Sequence, residues 1–414
     1  MLFFATSINY VDRQVLGLLE PTLRQNIGWS EVQYGYIVAA FQAAYAIGLV
    51  GAGRLVDKLG SRIGFAILMG FWSLASMAHA FASTTLGFGI ARFFLGLGES
   101  GSFPAAIKTV AEWFSPKERS LATGIFNSGA GIGAILAPAL IPWITLKLGW
   151  RAAFLVTGLF GALWIVWWLT RYRRPEEHAS VGAEELKSFG LEKADEPAEV
   201  RPAVPWRSLL GYRQTWGFVL AKFLTDPIWW FYLYWLPKFF DGKYHLGLSK
   251  IGVPLIVVYT ISMVGSVGGG WLPAAFRQGG FSMPKSRLAA MLICASLVLP
   301  MFLASGAASL WTVIGLLSLA AAAHQGWSAN LFTTVSDMFP KSVVGSVVGV
   351  GGMAGAVGGV LFSLSTGWVL QVTHSYKPLF AASASAYLIG WVLLQLLAPG
   401  LRPIHGGPVA EAGA

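Results

Sequence analysis

The chain has 414 residues, 55% of them hydrophobic and only 12% charged, with a mean hydropathy of +0.61 and a formal net charge of +10. A soluble globular protein carries roughly twice that charged fraction, so the composition excludes an ordinary water-soluble fold. The basic excess does not point to nucleic acid, because most Lys and Arg sit in short loops between apolar runs, as the positive-inside rule requires.

A hydrocarbon core about 30 Å thick needs roughly 20 apolar residues per helical span. The apolar runs are continuous rather than alternating, which excludes a transmembrane β-barrel. They predict an all-α polytopic membrane protein with twelve transmembrane helices, at approximately 1–22, 34–56, 63–82, 86–110, 121–143, 150–171, 214–240, 252–275, 286–304, 310–336, 342–370 and 378–398. The 50 glycines suit close helix packing and the 18 tryptophans suit the membrane interface. A single cysteine, Cys294, excludes an internal disulfide. The first run starts at Met1 without a charged n-region or a cleavage site, so it is expected to be a span, trimmed at its start, and not a signal peptide.

Span 1 carries Asp12 and Arg13 near its middle, and span 4 carries Arg92 and Glu99 seven residues apart. Two helical turns cover about 7.2 residues, so Arg92 and Glu99 project from nearly the same face. An ionised side chain at mid-bilayer costs roughly 2.5–3.5 kcal/mol on insertion scales, which makes these four residues functional candidates. The bland alternative is a pair of structural ion pairs, but burying charge is a poor route to stability. An arginine fork grips a carboxylate bidentately, whereas a carboxylate in a low-dielectric surrounding loads and releases protons. Arg13 and Arg92 with Asp12 and Glu99 therefore predict a site for an anion together with protons. Gln42 and Tyr45 in span 2 and Asn127 in span 5 are further polar groups in apolar helices, where such residues also serve simply to join helices.

Between spans 2 and 3 lies Gly53-x-Leu55-x-Asp57-x-x-Gly60-x-Arg62. Its glycines permit a tight turn and Asp57 can pair with a cation or a helix N-terminus, so the motif is expected to act as a gate. Residues 112–117 (Glu112-Trp113-Phe114-Ser115-Pro116-Lys117) close span 4 and are echoed by Asp337-Met338-Phe339-Pro340-Lys341 closing span 10. The offset, 339 − 114 = 225 residues, is near half the chain and predicts two duplicated halves, a transporter architecture. The polar stretch 172–213, which holds Arg173, Arg174, Glu176, Glu177, Glu184, Glu185 and several prolines, reads as a linker. It separates an N-terminal six-helix bundle (1–171) from a C-terminal one (214–398), with a tail at 399–414. Loops after even-numbered spans are the more basic, so the linker and both termini are expected to be cytoplasmic.

In the second half, Asp226 and Pro227 precede Trp229, Trp230, Tyr232, Tyr234 and Trp235 in span 7, a pattern that fits either an interfacial aromatic belt or a gate packing on a sugar ring. His324, Gln325, Trp327 and Asn330 in span 10 are polar groups that need partners inside a span, which favours a cavity.

The loop motif, the twelve spans and the central linker resemble the major facilitator superfamily over essentially the whole chain. Narrower signs are Asn9-Tyr10-Val11-Asp12-Arg13-Gln14, Arg92-Phe93-Phe94-Leu95-Gly96-Leu97-Gly98-Glu99 and the Glu112–Arg119 segment; they resemble the anion:cation symporter branch, which includes bacterial sugar-acid transporters and the vesicular glutamate and sialic acid carriers. Lys222-Phe223-Leu224-Thr225-Asp226-Pro227 and Ala323-His324-Gln325 are similar to segments of hexuronate transporters. The resemblance implies the major facilitator fold in a bacterial inner membrane, and proton-coupled import of a small organic anion by a monomer without cofactor or metal. It implies that Arg13 binds the substrate carboxylate with Tyr45 facing the same cavity, that Asp12 and Glu99 are the protonation sites, and that Arg92 couples to Glu99. Asn127, Trp327 and Asn330 join the cavity on weaker matches. The second-half counterpart of the loop motif, Gly270-Trp271-Leu272, is degenerate.

Other readings remain open on the residues alone. They are a proton-coupled carrier of another carboxylate (galactonate, glucarate or an aromatic acid), a non-transporting nutrient sensor, a proton-independent facilitator, and outward drug extrusion. Gly98-Glu99-Ser100-Gly101 also spells the G-x-S-G seen in intramembrane serine proteases, for which His324 would be the candidate base, but His324 lacks the flanking glycines those proteases show.

Overall fold

The computed structural model describes residues 1–114, 119–178, 182 and 206–404; most of the expected linker, the end of the tail and the side chain of Asp57 lie outside the described residues. No strand occurs among the described residues. Span 1 is Leu2–Ile27, spans 2 and 3 are two helices within Glu31–Ala78 joined at the non-helical Gly60, and span 4 is broken into Thr85–Glu99 and Ser102–Trp113. Spans 5 to 8 are Arg119–Leu148, Trp150–Arg171, Arg213–Tyr244 and Gly252–Gln278. Span 9 is Met283–Val298 with a 3₁₀ tail Leu299–Ser305, and spans 10 to 12 are Leu310–Met338, Lys341–Thr373 and Lys377–Leu397. Seven of these stretches are long and apolar enough to cross a membrane by length and composition alone. Among the described residues, spans 1, 2, 4, 7 and 10 are not among them: span 4 is broken, spans 1 and 7 carry several charges, span 2 carries Glu31, Gln33, Gln42 and Arg54, and span 10 carries His324, Gln325 and Asn330.

Local chemistry sets the helix ends. Gly28 closes span 1 in the left-handed region (φ 79°), its N–H donating to the Arg24 carbonyl. Ser30 and Gln33 then form a reciprocal capping box that starts span 2. Helix geometry breaks between spans 2 and 3 at Gly60 (φ 75°, ψ 163°), within the motif where a tight turn was expected. Only glycine adopts that conformation cheaply, and the Arg174 guanidinium lies where a Cβ would be, 1.8 Å from the ideal position. Thr84 caps span 4 by accepting from the Gly87 N–H at 3.1 Å.

The chain packs as two compact units, Met1–Glu199 with Leu233–Val253, and Val200–Tyr232 with Pro254–Ala414. The division falls inside span 7. In the first unit, glycines bring backbones together: a Cβ on Gly96 would lie 2.3 Å from the Phe41 carbonyl oxygen, and those on Gly129 and Gly133 would lie 2.3 and 2.5 Å from the Phe3 and Ser7 carbonyl oxygens of span 1. In the second unit, Gly265 and Gly269 of span 8 face Ala322 and Gly326 of span 10 in the same manner.

The 225-residue repeat extends to side chains. Ser61, Arg62 and Glu112 recur as Ser286, Arg287 and Asp337 (286 − 61 = 287 − 62 = 337 − 112 = 225). In the first unit Glu112 accepts from Ser61 Oγ at 2.5 Å and from the Tyr172 hydroxyl at 2.7 Å, while Arg62 donates to the Leu169 carbonyl at 2.7 Å. In the second, Arg287 takes the acid, Nε to Asp337 Oδ2 at 2.5 Å, and the buried Ser286 hydroxyl has no hydrogen-bond partner among the described residues.

Candidate functional site

The four charges singled out in spans 1 and 4 come together in the first unit, each at most 5% exposed. Arg13 Nε donates to Glu99 Oε2 at 2.6 Å, and Arg92 Nη1 donates to the Arg13 backbone carbonyl at 3.3 Å. Asp12 faces a different neighbour, accepting at Oδ1 from Ser76 Oγ of span 3 (2.8 Å), which in turn lies 3.3 Å from Thr157 Oγ1 of span 6. Aromatic rings surround the guanidinium groups: Arg13 lies 4.8 Å from the Tyr45 ring centroid and 5.0 Å from that of Tyr10, and Arg92 lies 5.8 Å from Phe41 and 5.9 Å from Tyr234. Ring faces favour a cation without neutralising it.

Glycine again fixes the geometry. Gly96 lets span 4 approach the Phe41 backbone and Gly98 lets it approach Trp72, so Glu99 arrives at the end of its helical segment opposite Arg13. Among the described residues, Arg92 Nε and Nη2, Glu99 Oε1 and Asp12 Oδ2 have no hydrogen-bond partner although all four are buried. A fully buried guanidinium with two unused donors, next to a second arginine held by one carboxylate, has the chemistry to bind an anion.

The other expected site residues divide. Tyr45 joins the cluster through Arg13. Asn127 is exposed on span 5 and makes no hydrogen bond to the cluster. Trp327 and Asn330 lie in the second unit, where their polar groups are used between helices. Trp327 Nε1 donates to Thr225 Oγ1 at 3.1 Å, Asn330 Nδ2 to the Gly269 and Gly326 carbonyls at 2.7 and 2.9 Å, and Asn330 Oδ1 accepts from Arg287 at 3.4 Å. Also there, Lys222 pairs with Asp226 at 2.7 Å, and His324 Nδ1 lies 2.6 Å from the Tyr387 hydroxyl with its ring stacked on Trp229. Of the loop motif, Gly60 makes the bend and Arg62 binds Leu169, whereas Gly53 has open space about it. Sequence reasoning missed Ser76 and Thr157, neutral residues with no signal in an apolar span, and it placed Tyr234 only in an aromatic run.

The sequence profile described as the Major Facilitator Superfamily matches residues 2–363. The chain belongs to that superfamily. Among curated proteins it is 32% identical to the hexuronate transporter of Escherichia coli (strain K12) over 396 residues, 94% of this chain and 91% of that one. It is 33% identical to the galacturonate transporter of Dickeya chrysanthemi over 275 residues, 66% of this chain and 79% of that one. Among solved structures, the inward-open xylose transporter XylE from E. coli superposes with a TM-score of 0.73 at 15% identity, covering 99% of this chain and 98% of the other, a likeness of fold. This major facilitator protein is a multi-pass membrane transporter, not an enzyme. The serine of the protease-like motif is bound accordingly: Ser100 Oγ donates to the Leu97 carbonyl at 2.7 Å, in the first unit, while His324 belongs to the second.

Proposed function

We propose that this protein is a proton-coupled symporter that imports a small sugar acid, a hexuronate such as glucuronate or galacturonate, by alternating access across a bacterial inner membrane, with both termini cytoplasmic. The observation that carries the reading is the Arg13–Glu99 ion pair, 2.6 Å long and buried beside Arg92. One guanidinium serves either the protein carboxylate or a substrate carboxylate, so substrate competes with Glu99 for Arg13. A proton on Glu99 removes the competitor and keeps the occupied cluster from gaining an unpaired buried negative charge. Asp12, hydrogen-bonded through Ser76 to a different helix, is the second protonation site. Arg92 supplies the unused donors for the anion, and the Tyr45 and Tyr10 rings line its approach to Arg13. The relatives named for hexuronate and galacturonate support the substrate class. Protons are the only coupling ion required, and the unit of function is a monomer of two six-helix bundles.

Uptake of labelled glucuronate into proteoliposomes, with and without an inward proton gradient, tests this for the wild type and for Glu99→Gln. Gradient-driven accumulation that is lost in the variant is the expected result. No wild-type uptake refutes the hexuronate assignment, and uptake that ignores the gradient in both proteins refutes the coupling.

A further inference from the structure

At the end of the first unit where spans 4 and 6 stop and spans 1 and 5 start, the helices leave a cavity of about 490 Å³. Its lining includes none of Asp12, Arg13, Arg92 and Glu99. The floor is aromatic. Trp168 and Tyr172, both buried, stack with ring centroids 3.9 Å apart, and the Trp113 ring tilts against Tyr172 at 6.4 Å. Trp168 Nε1 donates to the Arg62 carbonyl at 2.9 Å, and the Tyr172 hydroxyl donates to Glu112 at 2.7 Å, so the polar atoms of these two rings are already used. The rim is cationic: Arg171, Arg173 and His178 line it, and no Asp or Glu does among the described residues. Glu176 and Glu177, on the exposed turn that follows span 6, are not part of the lining. Arg173 is held in place by its Nη1, which donates to the Leu169 and Tyr172 carbonyls at 3.1 Å each and leaves Nε and Nη2 for another acceptor. The remaining side is apolar and open, with Phe114 and Ile125 at 39% and 57% exposed beside the buried Val110 and Phe126.

We propose that this cavity binds one anionic phospholipid, with its phosphate between Arg171 and Arg173 and an acyl chain laid along Phe114, Ile125 and Phe126. Loop arginines follow from membrane topology alone. Topology does not require a cavity beneath them, nor a guanidinium fixed by two backbone carbonyls at its mouth. The division of the lining into a cationic rim and an open apolar side matches an amphiphile with a negative head. A free phosphate would leave the apolar side unfilled, and a zwitterionic lipid would bring its own cation to the arginines. Four spans begin or end here, so the cavity lies at the membrane boundary, where basic pockets between helices hold anionic headgroups. Arginine suits the phosphate because its planar fork offers paired donors. A lipid so placed ties the starts of spans 1 and 5 to the ends of spans 4 and 6, and stabilises the folded unit by mass action.

The test reconstitutes the full chain in nanodiscs of phosphatidylcholine containing a trace of phosphatidylglycerol with a diazirine in one acyl chain. Irradiation is expected to place adducts on Phe114, Ile125 and Phe126, and unlabelled phosphatidylglycerol should compete for them. Arg171→Gln with Arg173→Gln is expected to lower that yield about thirtyfold, and Arg171→Gln alone, at an exposed side chain, about fivefold. Adducts on Leu163, 59% exposed on span 6 and outside the cavity, should stay constant and report intact folding. If the double variant fails to fold, the single one decides. Equal yields from a diazirine phosphatidylcholine, or a yield indifferent to the arginines, overturn the proposal. Protection by soluble glycerol phosphate as strong as that by the lipid assigns the cavity to a free phosphate ester and also overturns it. No sugar acid or proton gradient enters the readout, so an error in the transport reading appears in the uptake assay alone.

Discussion

Replacing Glu99 with glutamine removes the charge that competes for Arg13 while keeping the shape of the side chain. In the unliganded protein Arg13 Nε is bound to Glu99 Oε2 at 2.6 Å, and both side chains are buried. A hydrogen bond to a charged group contributes about 1.5–3 kcal/mol net, which converts to roughly ten- to 150-fold in an equilibrium constant. Glutamine still offers a neutral carbonyl to Arg13, so the expected gain in glucuronate affinity lies at the low end, about tenfold. The unliganded variant should also melt at a lower temperature, because Arg13 loses its counter-charge, and substrate should restore more of that loss than it does in the wild type. The assay is calorimetric titration of the purified full chain at pH 6 and pH 8. Substrate and proton bind together in the wild type, so its affinity should fall as pH rises; in Glu99→Gln it should be high and nearly flat, apart from any contribution of Asp12. A variant with wild-type affinity and wild-type pH slope would refute the competition argument.

Asn330→Ala should lower the stability of the second unit by about 2 kcal/mol, because it strips hydrogen bonds to Gly269, Gly326 and Arg287; a drop in melting temperature with substrate affinity preserved is the expected calorimetric result. Gly269→Leu should abolish monodisperse protein in size-exclusion chromatography, since even a Cβ there would lie 2.1 Å from Gly326 Cα. Gly60→Ala should cost about 1–3 kcal/mol from a backbone conformation (φ 75°, ψ 163°) open essentially to glycine alone, beyond displacing Arg174, and thermal denaturation measures it. Arg92→Lys should leave folding intact and reduce glucuronate affinity about tenfold or more, because an ammonium cannot offer two fixed donors to one carboxylate; unchanged affinity would show that the free donors of Arg92 do not meet the substrate.

The cluster of buried charges was legible because lipid makes charge conspicuous: Asp12, Arg13, Arg92 and Glu99 stand out in spans that should hold none. Pairing was not legible, because spacing along one helix says nothing about which residue of another helix stands opposite. Arg13 with Glu99, and Asp12 with Ser76, appear only once the glycines of span 4 have set its depth against span 2. Glu20 and Lys238, paired at 2.7 Å, passed unnoticed for a related reason. They lie toward the ends of their spans, where a charge ordinarily reaches water, and nothing local says that they meet. Trp327 and Asn330 show the reverse, since a polar residue within a span serves a ligand or a neighbouring helix equally well, and here their hydrogen bonds go to Thr225, Gly269, Gly326 and Arg287. The turn expected at the glycine motif lies at Gly60, where one residue with positive φ interrupts the helix and redirects the chain from span 2 into span 3.

The serine, arginine and acid that recur 225 residues apart hold a different meaning for each half. One copy gives its carboxylate to hydroxyl groups and the other gives it to the guanidinium. Two runs of the same ancestral pattern are thereby told apart by their bonding and not by their helix layout. An engineer who exchanged the halves would preserve every span and still scramble this handful of polar addresses.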